Sequence, residues 1–246
     1  MAISLVNFSG GSQQGGPFTT VVSAAQSVAN GNSLVVGLRW SAQAVNDNAG
    51  NTYFPLPHLI GNPISNLGEG FQFFYCNNCV GNPALVVTAT LVSTSVALDT
   101  YTAMGVWNVA GGPLTLDQYG VSTGSGTVMT YATSITKFDN TIACVLGMST
   151  TNLSTNSVTA PLVQDGGTSI ASQQICGASH AIFTTKQTGL SLVSTSSVNG
   201  TWQIGGPIFG IANSTPIQKK RKSAGATSPL FTGRLYASYI TLERLF

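Results

Sequence analysis

The chain reads as an all-β protein, an antiparallel β-sandwich with negligible helix. Three observations carry that reading. Apolar residues recur with a period of two through much of the sequence, turn-forming Gly, Asn and Pro separate the runs, and no amphipathic 3.6-residue pattern lasts for three turns. Without crossover helices to join parallel strands, the pairing is expected to be antiparallel, in two packed sheets.

Residues 1–17 read as an N-terminal strand and a flexible arm, because Gly10-Gly11-Ser12-Gln13-Gln14-Gly15-Gly16 offers little to bury. From Ser33 to Trp40, Leu34, Val36, Leu38 and Trp40 alternate with Ser33, Val35, Gly37 and Arg39, which predicts a strand with one strongly apolar face. Comparable runs lie at Gly70–Cys76, Leu85–Val92, Tyr101–Asn108, Thr127–Ser134, Thr141–Ser149, Ser169–Cys176, His180–Thr185, Thr201–Ile204 and Arg234–Leu242. Asn30-Gly31, Gly111-Gly112-Pro113, Gly166-Gly167, Asn199-Gly200 and Gly205-Gly206-Pro207 read as the tight connections between them. Residues 18–246 thus form one sandwich domain, with an irregular basic loop at 213–230 before the last strand.

Composition narrows the setting. Hydrophobic residues make up 43% of 246, enough for a sizeable core, while charged residues make up only 7%, against about 25% in an ordinary soluble domain. A surface of Ser, Thr, Asn, Gln and Gly suits a chain packed against copies or partners. No run approaches the roughly 18–20 apolar residues that span a bilayer as a helix, and Met1–Asn7 lacks the basic start and apolar stretch of a secretory signal. Synthesis in a host cytoplasm is therefore expected, unless a signal has been removed. Lys219-Lys220-Arg221-Lys222 supplies four of the nine basic residues, and the other five face seven acidic ones, so a general nucleic-acid surface is not expected.

A family resemblance rests on the following residues. Asn30-Gly31-Asn32-Ser33-Leu34-Val35-Val36 leads to Arg39-Trp40 and then to Val45-Asn46-Asp47-Asn48-Ala49-Gly50-Asn51-Thr52-Tyr53; Phe73-Phe74-Tyr75, Val86–Thr90 and Trp107-Asn108-Val109-Ala110-Gly111 follow. This order resembles a jelly-roll-like β-sandwich domain of phage virion proteins and bacterial surface proteins, in which a strand ends in a D-x-A-G-N-T-Y hairpin. The resemblance covers roughly residues 18–150 and implies a fold more than an activity, since sandwiches host many roles. Asp47, Asn48, Gly50 and Asn51 are turn formers and Tyr53 suits a cap on the sandwich edge, so the hairpin makes sense without a ligand.

Candidate chemistry is sparse. Gly120-Val121-Ser122-Thr123-Gly124 matches G-x-S-x-G, with Asp165 and His180 following in hydrolase order, but the next residues lead into another strand and not into the helix that a nucleophile elbow needs. Cys76-Asn77-Asn78-Cys79 has the spacing of a zinc half-site without a second knuckle, since Cys144 and Cys176 stand far apart. Free thiols, disulfides and zinc all remain open for these four, with Cys144 placed in the core by its alternation with Ile142, Leu146 and Met148. His58, flanked by prolines, is expected to be exposed, and the acidic residues are isolated in sequence. No catalytic residue, metal site or cofactor is therefore assigned.

The expected function is that of a structural subunit of a phage-like virion, a capsid decoration or tail-associated protein, and not an enzyme. The alternative is a carbohydrate or cell-surface binding module, extracellular or at a cell surface. Partners are expected to be other virion chains in a homo-oligomer or lattice, or a surface glycan. Membrane insertion is not expected. Ile3 and Leu5 at one end, Leu245 and Phe246 at the other, and Lys219, Lys220, Arg221 and Lys222 are the expected contact residues, being apolar at chain ends or the one concentrated charge.

Overall fold

The computed structural model describes residues 2–14, 19–60, 70–92, 101–149, 156–169 and 175–211. Among these there is no helix, and every strand pairing is antiparallel. The fold is all-β and sandwich-like, as the alternation predicts, but its strands form four sheets and not the two expected, because the largest apolar strands are buried on both faces and need cover on each side. The basic run, Leu245, Phe246, the loop at 213–230 and the expected last strand lie outside the described residues.

In chain order the strands are β1 (Ser4–Gln14), β2 (Thr20–Val22), β3 (Gln26–Val28), β4 (Ser33–Arg39), β5 (Ala42–Asp47), β6 (Phe54–Pro55), β7 (Leu59–Ile60), β8 (Gly70–Cys76), β9 (Asn82–Leu85), β10 (Val87–Leu91) and β11 (Tyr101–Ala110). They continue with β12 (Leu114–Thr133), β13 (Thr141–Ser149), β14 (Asn156–Thr159), β15 (Val163–Ser169), β16 (Ile175–Phe183) and β17 (Leu190–Ile211).

The first sheet runs β1-β11-β4-β8-β6, with β7 also on β8. Its strands are apolar on both faces, so it is the middle layer. On one side Leu34, Val36, Leu38, Phe74 and Val106 pack against Val21, Val45, Val87 and Ala89 of a small sheet, β2-β10-β5. On the other, Val35, Phe71, Phe73, Trp107 and Val109 meet Ile142, Cys144, Leu146, Met148 and Phe209 of a third sheet, β12-β17-β13-β16-β15. All seven residues of β4 are buried, so both of its faces are core and not the single face that alternation with Ser33, Gly37 and Arg39 suggests.

The third sheet covers its own outer face. β12 and β17 pair from Leu114↔Ile211 to Gly126↔Gly200, the register then jumps, and pairing resumes from Val128↔Thr195 to Thr133↔Leu190. Beyond that corner the ribbon turns back over itself, for Tyr131 O–H donates to Gly206 O (2.9 Å), and Gln118 Nε2 donates to the carbonyls of Ser134 (3.1 Å) and Ile135 (3.0 Å). Met129, Tyr131, Leu192, Ala143, Val145, Ile204 and Ile208 form the separate core enclosed by this fold-over.

β1 is an integral edge of the middle sheet, paired with β11 from Ser4↔Ala110 to Gln14↔Tyr101. The Gly-rich stretch read as part of a flexible arm is strand as far as Gln14. Gly11 is needed there because a Cβ would collide with the carbonyl of Val22.

Candidate functional site

A cluster of polar groups lies at the seam between the middle and third sheets. Asp165 sits where the β15/β16 register shifts, between Gln164 and Gly166, and its side chain is 5% exposed. His180 Nδ1–H donates to Asp165 Oδ1 at 2.6 Å, and Trp107 Nε1–H, from β11 of the opposite sheet, donates to Oδ2 at 2.8 Å. An ionised carboxylate only accepts, which places the proton on Nδ1. Asp165, on the edge strand β15, thereby fastens the third sheet to the middle one.

Cys144 stands directly opposite His180 in the β13/β16 ladder and is fully buried. Cross-strand partners point to the same face, so a thiol, an imidazole and a carboxylate are neighbours here. Burial, with the negative field of Asp165 added, pushes the Cys144 thiol well above its usual range, so it remains an un-ionised core group. Ser122 is elsewhere. It lies on β12, paired with Ile204 of β17, with β13 between that strand and β16, so three strand spacings, about 14 Å, separate it from the strand of His180. The structure joins Asp165 to His180 and does not join either to Ser122.

A cleft of about 340 Å³ opens beside this fastener. It arises because Gly10, Gly105 and Gly37 are paired in one row across β1, β11 and β4, facing Leu146, Ala178 and Gly166, which pair in a row of the third sheet. At Gly37 the trough is filled, since an added Cβ would stand 2.6 Å from Phe73 and 3.0 Å from Trp107. At Gly105 an added Cβ would stand 3.0 Å from Phe8 and 3.1 Å from Trp107, and only at Gly10, where nothing lies nearer than 3.7 Å, does the trough stay open. Among the described residues no charged side chain lines it, and backbone groups of Gly10, Gly11 and Gly166 share the wall with Phe8, Met104 and Leu146.

The D-x-A-G-N-T-Y hairpin forms a second polar cluster. Asp47 accepts from Ala49 N–H (2.9 Å), Asn51 N–H (3.1 Å), Asn51 Nδ2 (2.9 Å) and Tyr53 O–H (2.7 Å). Partial burial alone would raise its carboxyl, but the bonds from Asn51, Tyr53 and Ala49 outweigh that and hold it below its ordinary value. The phenol of Tyr53 is pushed far up, by burial first and by Asp47 second. Asp47 therefore works as the organiser of its own turn.

The remaining described acids serve loops in the same way. Asp117 accepts from Lys137 N–H (2.7 Å) and Asp139 from Lys186 N–H (3.0 Å). His58 is half-buried, with Nε2 enclosed and without a hydrogen-bond partner among the described residues, in place of the exposure expected from its prolines. Ile3 is buried in the core between the middle and third sheets and Leu5 packs against that core, so these two side chains face inward, while Val6, between β1's inward positions, is 52% exposed. Cys76 and Cys79 are buried free thiols in contact with each other. No group of three or more His, Cys, Asp or Glu among the described residues is arranged to hold a metal ion.

The feature that sequence reading missed is the edge of the third sheet. β12 pairs with β17 alone among the described strands and runs for 20 residues, whereas only Thr127–Ser134 was expected as strand. From Gln118 to Thr136 it and the following turn carry neither charge nor proline. The signal was present as a long uncharged Ser/Thr/Gly stretch, read there as loop. Comparison with protein-family models, with curated proteins and with solved structures finds no match.

Proposed function

We propose that this chain is a structural subunit of a phage-like particle, a capsid decoration or tail-associated protein, that acts through contacts with other protein chains. The observation that carries the reading is the undefended edge of β12. Edge strands of proteins that stay apart are blunted by Lys, Pro, bulges or shortness, because a row of unpaired N–H and C=O groups is a template for another strand. β12 has register shifts at Leu116/Gln118 and Gly126/Val128, but it is long, and its central stretch Gly120–Thr130 has neither Lys nor Pro. The occupant we assign is an extended strand of a neighbouring copy, joined by main-chain hydrogen bonds. A 7% charge content and the resemblance to virion sandwich domains point the same way.

The test is sedimentation of the full-length protein over a range of concentrations, beside the T123K/S125K variant. Both positions are exposed on the outer strand, so the lysines add charge to the edge without touching a core. The wild type is expected to associate and the variant to remain monomeric with an unchanged melting temperature. A wild type that stays monomeric at high concentration overturns the reading.

A second reading, as a carbohydrate or cell-surface binding module, is favoured by one observation. Phe54 is 52% exposed and lies 5.7 Å, centroid to centroid, from Tyr75, which makes a small aromatic face of the kind on which a sugar ring stacks. Glycan-array binding that is lost in Phe54→Ala would establish it.

A further inference from the structure

Where β8 ends, the chain reverses through Cys76-Asn77-Asn78-Cys79. Asn78 takes the left-handed backbone conformation (φ 52°), which asparagine tolerates better than most residues. The reversal brings Cys79 Sγ to 2.8 Å from Cys76 Sγ. Neighbouring turns hold the loop in place. Cys79 N–H donates to Asn32 O (2.8 Å), Gly31 N–H donates to Cys79 O (2.9 Å), and Val80 N–H donates to Asn51 Oδ1 (2.7 Å). The sulfurs themselves are buried, but Asn78 and Val80 on the same turn face solvent, Val80 at 56% exposure. A reagent thus has only one short turn to displace.

We propose that Cys76 and Cys79 are a redox modification site that closes to an intrachain disulfide on reaction with a small disulfide such as oxidised glutathione. The two thiols are not equivalent. The hydrogen bond from Cys79 holds Cys76 below the usual thiol range, while that same bond, with burial added, pushes Cys79 far above it. Cys76 is therefore the attacking sulfur. Its thiolate forms a bond to one glutathione sulfur, the glutathione S–S bond breaks, and one glutathione thiolate leaves. Cys79 then gives up its proton and attacks Cys76 Sγ, the mixed disulfide breaks, and the second glutathione leaves. Two protein thiols are oxidised, one disulfide is reduced to two glutathione thiols, and the protons lost by the cysteines end on those thiols.

A metal is the competing use of a C-x-x-C pair, but structural zinc takes four ligands, and no third His, Cys, Asp or Glu is grouped with this pair among the described residues. Cys144 belongs to the core on the other side of the middle sheet.

The experiment incubates native full-length protein with oxidised glutathione, alkylates the remaining thiols after unfolding, and maps the peptides by mass. A Cys76–Cys79 linkage is expected, reversed by dithiothreitol, with the oxidised form melting roughly 4–8 °C higher because the closed turn loses freedom in the unfolded chain. In the C79S variant Cys76 is expected to retain one glutathione. Full alkylation of both cysteines after native treatment overturns the proposal, as does linkage of either to Cys144 or Cys176. Since the wild-type map is decisive alone, the result does not depend on the variant folding.

Discussion

Asp47 and Asp165 do the same job in two settings. Each carboxylate gathers donors that would otherwise lack partners, but Asp47 takes all of its donors from residues 49–53 of its own turn, whereas Asp165 takes its from Trp107 and His180, 58 and 15 residues away. The first organises a half-exposed hairpin. The second fastens two sheets together. A local cluster can be read from a short motif and loses little when broken, because water replaces the acceptor; a long-range one is invisible in the sequence and exposes buried donors when broken.

That contrast sets the largest expected effect. Asp165→Ala leaves Trp107 Nε1–H and His180 Nδ1–H without an acceptor in a nearly dry site, which costs about 3 kcal/mol and lowers the melting temperature by roughly 6–12 °C. Asp47→Ala strands donors that solvent can reach, so a loss of about 1–2 kcal/mol, or roughly 2–8 °C, is expected. Thermal melts of the two variants side by side check the order. Equal losses would mean that burial does not separate the two clusters.

Acidification gives a finer and smaller test. His58 is held below its ordinary value of 6.5 by burial, and Asp47 below its ordinary value of 3.8 because its hydrogen bonds outweigh burial. In both cases the folded value is the lower one. The associated stability is therefore complete above the unfolded value and lost as pH falls through the folded one. Melting temperature is expected to decline in one shallow step beginning below about 6.5 and another below about 3.8. His58→Gln should remove the first and Asp47→Asn the second; a single step unaffected by His58→Gln would contradict the burial assigned to that ring.

How much of the molecule was legible follows the same division. β8 and β13 appear with the bounds that period-two alternation gives them, and β4 within one residue, because each strand packs apolar residues on a regular pleat. β12 and β17 were read only as short runs, with Gly205 and Gly206 read as a tight connection and Gly120 and Gly124 as part of G-x-S-x-G. They are strand glycines. A Cβ on Gly205 would strike the carbonyl of Gly120, and one on Gly206 that of Cys144, so these positions are bare to let neighbouring backbones approach. The Asp47 cluster was legible as turn chemistry, whereas the Trp107–Asp165–His180 fastener depends on register between distant strands, which no local pattern encodes.

Hydrogen exchange on the full-length protein, compared between its associated and dissociated forms, tests the central claim most directly, because an added strand protects the amides of the edge that it joins. Association is expected to slow exchange within residues 118–130 of β12. Exchange there that is the same in both forms, with the new protection falling on another surface, would contradict it.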